Sequence, residues 1–112
     1  MNTESGDRPE APEIPAALAC RLPEGEAGRR RALVGALFEQ ALARRATDDG
    51  VELEYAGDDE TARGLLDFVL FERRCCAEVA YHLSFAPDHS RVRLRLAGDG
   101  PLAAAVRQWA GL

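Results

Sequence analysis

The chain has 112 residues, 46% of them apolar and 29% charged, and 14 basic against 19 acidic residues leave a net charge of −5. This length holds one domain, and this composition is that of a globular protein. The acidic balance argues against a function built on phosphate contacts, which need a basic surface, so nucleic acid is not an expected direct partner. No apolar run reaches the ~20 residues of a membrane helix, so no membrane is expected either. Met1 to Asp7 is polar and has no apolar signal region, which implies a cytoplasmic home.

Residues 1–15 carry Glu4, Asp7, Glu10 and Glu13, with Pro9, Pro12, Pro15 and a single large aliphatic residue, Ile14. Such a segment buries too little apolar surface to offset its ordering entropy and is expected to be a disordered tail. Residues 16–112 are expected to form one α+β domain.

Leu18, Cys20 and Leu22 alternate with Ala17, Ala19 and Arg21, which predicts a short first strand closed by Pro23. Leu33, Val34, Leu37, Phe38, Ala41 and Leu42 then fall at helical spacing on one face. Glu24 and Glu26 stand near the start of this helix, where acids are favoured, and Thr47-Asp48-Asp49-Gly50 is its expected stop. Val51, Leu53 and Tyr55 alternate with Glu52 and Glu54 as a second strand. Gly57-Asp58-Asp59 is a turn whose aspartates can cap a second helix, with Ala62, Leu65, Leu66, Val69 and Leu70 as its stripe, running on towards Cys75 and Cys76.

Val79, Tyr81, Leu83 and Phe85 alternate with polar or small residues up to the turn Pro87-Asp88-His89-Ser90. Val92, Leu94 and Leu96 alternate with Arg91, Arg93 and Arg95, so the two runs form a hairpin with one apolar and one polar face. Gly98-Asp99-Gly100-Pro101 opens a last helix with Leu102, Val106 and Trp109 as its stripe. The expected order is β-α-β-α-β-β-α: a two-layer sandwich, with helices on one face of a four-stranded sheet. Glycine-rich phosphate loops, nucleophile elbows and zinc-protease motifs are absent from the sequence.

Three cysteines, Cys20, Cys75 and Cys76, carry the distinctive chemistry. An odd number in a cytosolic setting argues against a disulfide framework. Cys76 continues the stripe of the second helix, and Cys20 stands on the apolar face of the first strand, so one folded geometry brings the three sulfurs together. Three thiolates make a trigonal site for a soft ion, of the mercury(II), arsenic(III) or copper(I) class. Glu72, Glu78 and His89 are candidate accessory groups. The alternative is equally concrete: a free cysteine also behaves as a small buried hydrophobe.

The run Glu72-Arg73-Arg74-Cys75-Cys76 before an alternating strand, with Ala19-Cys20 upstream, resembles a family of small bacterial "ERRCC" proteins. Some members are fused to, or encoded near, MerR-type regulators and mercury or heavy-metal resistance genes. The resemblance spans residues 17–110 and is distinctive only in the cysteine segments. It implies a thiophilic-metal site at Cys20, Cys75 and Cys76 and, more weakly, a role for Glu72. Ala77-Glu78 stands where the family has Pro-Phe.

Three functions follow as expectations. The first is binding of a thiophilic metal or metalloid for sequestration or sensing, with a homodimer or a separate regulator protein left open as partner. The second is a thiol enzyme, either an organometal protonolysis with Glu72, Glu78 or Asp67 as the acid, or a vicinal-dithiol redox reaction. The third is an interaction domain with structural cysteines, motivated by the Arg91/Arg93/Arg95 ladder opposite Glu52 and Glu54.

Overall fold

The computed structural model describes residues 24–75 and 78–112, without the side chains of residues 24–27 and 75. The predicted tail and the predicted strand at Leu18–Leu22 lie outside the described residues. The elements are α1 (Glu24–Glu39), β1 (Ala43–Thr47), β2 (Gly50–Ala56), α2 (Asp59–Cys75), β3 (Ala80–Phe85), β4 (Arg91–Ala97) and α3 (Pro101–Trp109). The strands form one antiparallel sheet in the order β1-β2-β4-β3. The α+β class is as expected, but the order is not: the first described element is a helix, and the fourth strand comes from residues expected to be helical.

That strand is β1. The helical stripe predicted through Ala41 and Leu42 stops at Glu39, and the Leu42 amide already donates to the carbonyl of Glu54 in β2 at 2.7 Å. Thr47-Asp48-Asp49-Gly50 is a hairpin turn rather than a helix stop, with Thr47 facing Gly50 across the ladder. Pairing with β2 gives residues 43–47 backbone partners that outweigh a weak local helical preference. Leu33 and Leu42, predicted to be core, are accordingly exposed, while Val34, Leu37 and Phe38 are buried.

The sheet alternates as its sequence demands. Leu53 faces Leu94, Val51 faces Leu96 and Tyr55 faces Val92, and all six side chains are buried beneath the helices. On the other face Glu52 lies opposite Arg95, and Glu54 opposite Arg93, with Arg45 of β1 paired to Glu52. Asp58 caps α2, accepting from the backbone amide of Thr61 at 3.0 Å and from its hydroxyl at 2.7 Å. The buried stripe of α2 is Leu65, Phe68 and Glu72 with Val69 partly buried, rotated from the predicted one, so that Leu66 and Leu70 are exposed. Trp109 of α3 sits in the core, edge-on to Phe38 with ring centres 5.6 Å apart.

Candidate functional site

Arg30 precedes Val34 by one helical turn and therefore lies on the buried stripe of α1. Glu72 follows Phe68 by one turn on the buried stripe of α2. Where the stripes meet, the guanidinium donates twice to the carboxylate, Nε to Oε2 at 2.7 Å and Nη2 to Oε1 at 2.6 Å. The side chains are 2% and 0% exposed. The Arg30 guanidinium carbon also lies 5.3 Å from the centre of the Trp109 ring, a cation–π contact. Fork-to-fork pairing satisfies both carboxylate oxygens, as a buried ion pair requires.

The same contact fixes how the helices run. Arg30 meets Glu72 near the end of α2, while further along α1 the Leu37 carbonyl accepts from the Tyr55 hydroxyl at 2.9 Å, four residues before α2 begins. The two helices are therefore antiparallel. They diverge enough to leave a groove of about 580 Å³, with Val34, Leu37, Leu65 and Phe68 in its floor and Arg29 and Asp67 on its rim.

Cys75, the first of the vicinal pair, is the last residue of α2. The backbone is helical through Cys75, three residues beyond the anchored Glu72, and β3 begins at Ala80. Cys20, Cys76 and the Cys75 side chain lie outside the described residues. Among the described residues no group of three His, Cys, Asp or Glu side chains is placed to hold a metal ion.

The accessory candidates separate. Both oxygens of Glu72 are engaged by Arg30, so this residue anchors the helix end. Glu78 is exposed in the turn that leads into β3. His89 lies at the opposite end of α2 from the Cys75 backbone. It occupies the β3–β4 turn with φ 61°, and a Cβ on Gly57 would lie 2.3 Å from its carbonyl oxygen. Gly57 stands two residues before α2, whose 17 residues span about 25 Å at 1.5 Å per residue. Asp88 holds the turn instead, accepting from the Ser90 hydroxyl at 2.6 Å and its amide at 3.0 Å, which keeps the Asp88 carboxyl below its usual range. His82 is exposed on the polar face of the sheet, as its alternation predicts.

No family model, no curated protein and no solved structure matches this chain.

Arg30, the middle of the run Arg29-Arg30-Arg31, was not among the candidate residues of the sequence. A signal was present. Arg30 lies at i−4 from Val34, and Glu72 lies at i+4 from Phe68. Opposite charges on the apolar stripes of two helices are the pattern of a buried ion pair. Charges elsewhere follow ordinary surface logic. Arg95 donates from Nη2 to both oxygens of Asp49 at 2.9 Å, and this hydrogen bonding leads the causes that hold the Asp49 carboxyl low. The Arg91/Arg93/Arg95 ladder is exposed to half-buried and pairs with Glu54 and Asp49, as a solvated sheet face does.

Proposed function

We propose that the protein binds a thiophilic metal or metalloid ion, of the mercury(II), arsenic(III) or copper(I) class, through Cys20, Cys75 and Cys76, for sequestration or sensing. The observation that carries this reading is the anchored end of α2. The vicinal pair begins three residues after Glu72, which the fold clamps from both carboxylate oxygens. A soft-ion site gains affinity when its donors are held in place before the ion arrives. The resemblance to the "ERRCC" proteins points the same way. Membership of a resistance or regulatory system would then rest on a partner protein.

A second reading, organometal protonolysis, is favoured by one observation: Glu78 is an exposed carboxylate two residues from Cys76. In that reaction the thiolates take the metal while the carboxylic acid delivers a proton to the departing carbon, releasing the hydrocarbon.

The test is a titration of the reduced chain with mercury(II), arsenite, copper(I) and zinc, followed by thiolate-to-metal charge-transfer absorption and native mass. The expected result is a one-to-one complex weakened by each of Cys20→Ser, Cys75→Ser and Cys76→Ser. Binding no tighter than that of the triple serine variant would overturn the proposal. Release of hydrocarbon from an organomercurial, lost in Glu78→Gln with ion binding retained, would establish the second reading.

A further inference from the structure

We propose that the groove between α1 and α2 is a binding site for a small organic cation with an apolar body. The groove is lined by described residues, and its volume is about 580 Å³. Sites for small molecules occupy roughly 300–1,000 Å³. The lining follows α1 from Arg29 to Gln40, about 16 Å at 1.5 Å per residue. Because the helices are antiparallel, the Arg30–Glu72 pair marks one end, and Gln40 lies with Glu60 and Thr61 at the other.

One residue of the lining keeps space in it. Gly64 stands in the middle of α2, where alanine is the more stable choice. Its φ is not positive, and among the described residues a Cβ there would meet nothing within 4 Å. No turn and no close backbone approach calls for a glycine at this position. What the missing side chain leaves is room in the groove, beside the buried Leu65 and Phe68. Gly64 lies one turn after Glu60 and one turn before Asp67, so the three share a face of α2.

The rim sets the charge of the ligand. Glu60 and Asp67 both border the groove, and among the described residues neither carboxylate has an ion pair or a hydrogen bond. The other charges of the lining are engaged, Arg30 with Glu72 and Arg29 with a partner of its own. The uncommitted charge is therefore negative. Phe71 also lines the groove, one turn after Asp67, so a cation held by Asp67 is within reach of an aromatic ring. Val34, Leu37, Leu65 and Phe68 in the floor receive the apolar body. An anion would face two carboxylates with no cation to answer it, and a neutral ligand would gain apolar contact alone.

The experiment is a titration of the full-length, reduced, metal-free chain with phenylhexylamine, phenylhexanol and phenylhexanoate, which share one body and differ in charge. Backbone amide shifts in nuclear magnetic resonance locate the site, and calorimetry gives the affinity. The expected result is a one-to-one complex of the amine, with shifts centred on Val34, Leu37, Gly64 and Phe68. The amine should bind roughly tenfold tighter than the carboxylate, since attraction is replaced by repulsion at two exposed charges. Glu60→Gln combined with Asp67→Asn should weaken the amine by roughly fivefold, the scale of exposed ion pairs, and leave the alcohol unchanged. Gly64→Leu should weaken amine and alcohol alike by filling the groove. The carboxylate variant lies on the surface and decides the question even if the leucine variant fails to fold. No binding of the amine, equal binding of amine and carboxylate, or shifts centred elsewhere overturns the proposal. So do Overhauser contacts in the ligand-free chain that fill the groove with residues 1–23 or with a second copy. No cysteine is among the lining residues, so the outcome is independent of the ion titration.

Discussion

Arg30 and Glu72 are 42 residues apart in sequence and form a bidentate ion pair inside the protein, at 2.6 and 2.7 Å. Removing a charge from water costs several kcal/mol, and the mutual attraction offsets that cost only while both partners are present. Arg30→Met alone, or Glu72→Leu alone, should lower stability by about 3–5 kcal/mol, because each leaves a buried charge without its counter-ion. The double variant should lie near the wild type or above it, since two apolar side chains of similar volume need no desolvation. Chemical denaturation of the four proteins closes the cycle. Additive losses in the double variant would show that the two residues act independently.

Tyr55 ties β2 to the end of α1 through its hydroxyl on the Leu37 carbonyl, and burial pushes its pKa above the ordinary 10.0. A raised folded-state pKa gives a stability that is complete below the unfolded value and is lost as pH rises. Below pH ~10 both states hold the proton. Above it the unfolded chain ionises Tyr55 first, and this residue alone draws stability down by up to about 1.4 kcal/mol per pH unit until the folded value is reached. Tyr55→Phe should cost about 1 kcal/mol at neutral pH through the lost hydrogen bond. It should also remove this alkaline slope, so the two stability curves converge above pH ~10. Parallel curves to pH 11 would show that the hydroxyl is not held in its neutral form.

Much of the fold was legible because local pattern and tertiary need agree. The β3–β4 hairpin, β2 and α3 alternate or repeat at the spacing of the faces they bury, and the Glu52/Glu54 rows predicted opposite the arginine ladder pair in register with Arg95 and Arg93. Strand β1 was illegible because Ala43-Arg44-Arg45-Ala46-Thr47 has no apolar alternation. It is a strand because β2 supplies backbone partners, and a helical stripe upstream ran into it unbroken. The ion pair was hidden by its setting: Arg30 lies within three consecutive arginines, and only its distance from Val34 marks it as buried. The cysteine segments stood out in the sequence for their chemistry, whereas Glu72, noted there as an accessory candidate, is held by Arg30 in the fold.

Two glycines make a matched pair for stability. A Cβ on Gly50 would lie 1.9 Å from the carbonyl oxygen of Leu96, a backbone atom that cannot move without disturbing the ladder. A Cβ on Gly64, in the middle of α2, would meet nothing within 4 Å. Gly50→Ala should therefore destabilise by about 1–3 kcal/mol or more. Gly64→Ala should stabilise by about 0.5–1 kcal/mol, since alanine loses less backbone freedom in a helix. Thermal melts of the two variants read both signs. A neutral Gly50→Ala would mean that the β1–β2 hairpin shifts readily against β4.

Arg44 is the one inward-facing charge on β1, opposite Leu53 in the ladder. It donates from Nη1 to the Ala110 carbonyl at 2.8 Å and from Nη2 to the Phe38 carbonyl at 3.1 Å. These carbonyls belong to the C-terminal ends of α3 and α1, where a cation is favoured and the last carbonyls need donors. Arg44 thus joins the edge strand to both helices, and its charge also discourages a further strand from pairing there. Arg44→Met keeps most of the apolar stem but loses both hydrogen bonds and the charge. It should cost about 1.5–3 kcal/mol, the range for a hydrogen bond from a charged group. It should also speed amide exchange in residues 43–47 and raise the tendency of the chain to self-associate at high concentration. Arg44→Lys should recover the charge but not the two-carbonyl bridge, because one ammonium group lacks the reach of the guanidinium fork. Its exchange rates should stay fast while its self-association returns to the wild-type level. If the lysine variant restores both, charge alone holds the edge; if it restores neither, the edge depends on the bridge to the helix ends.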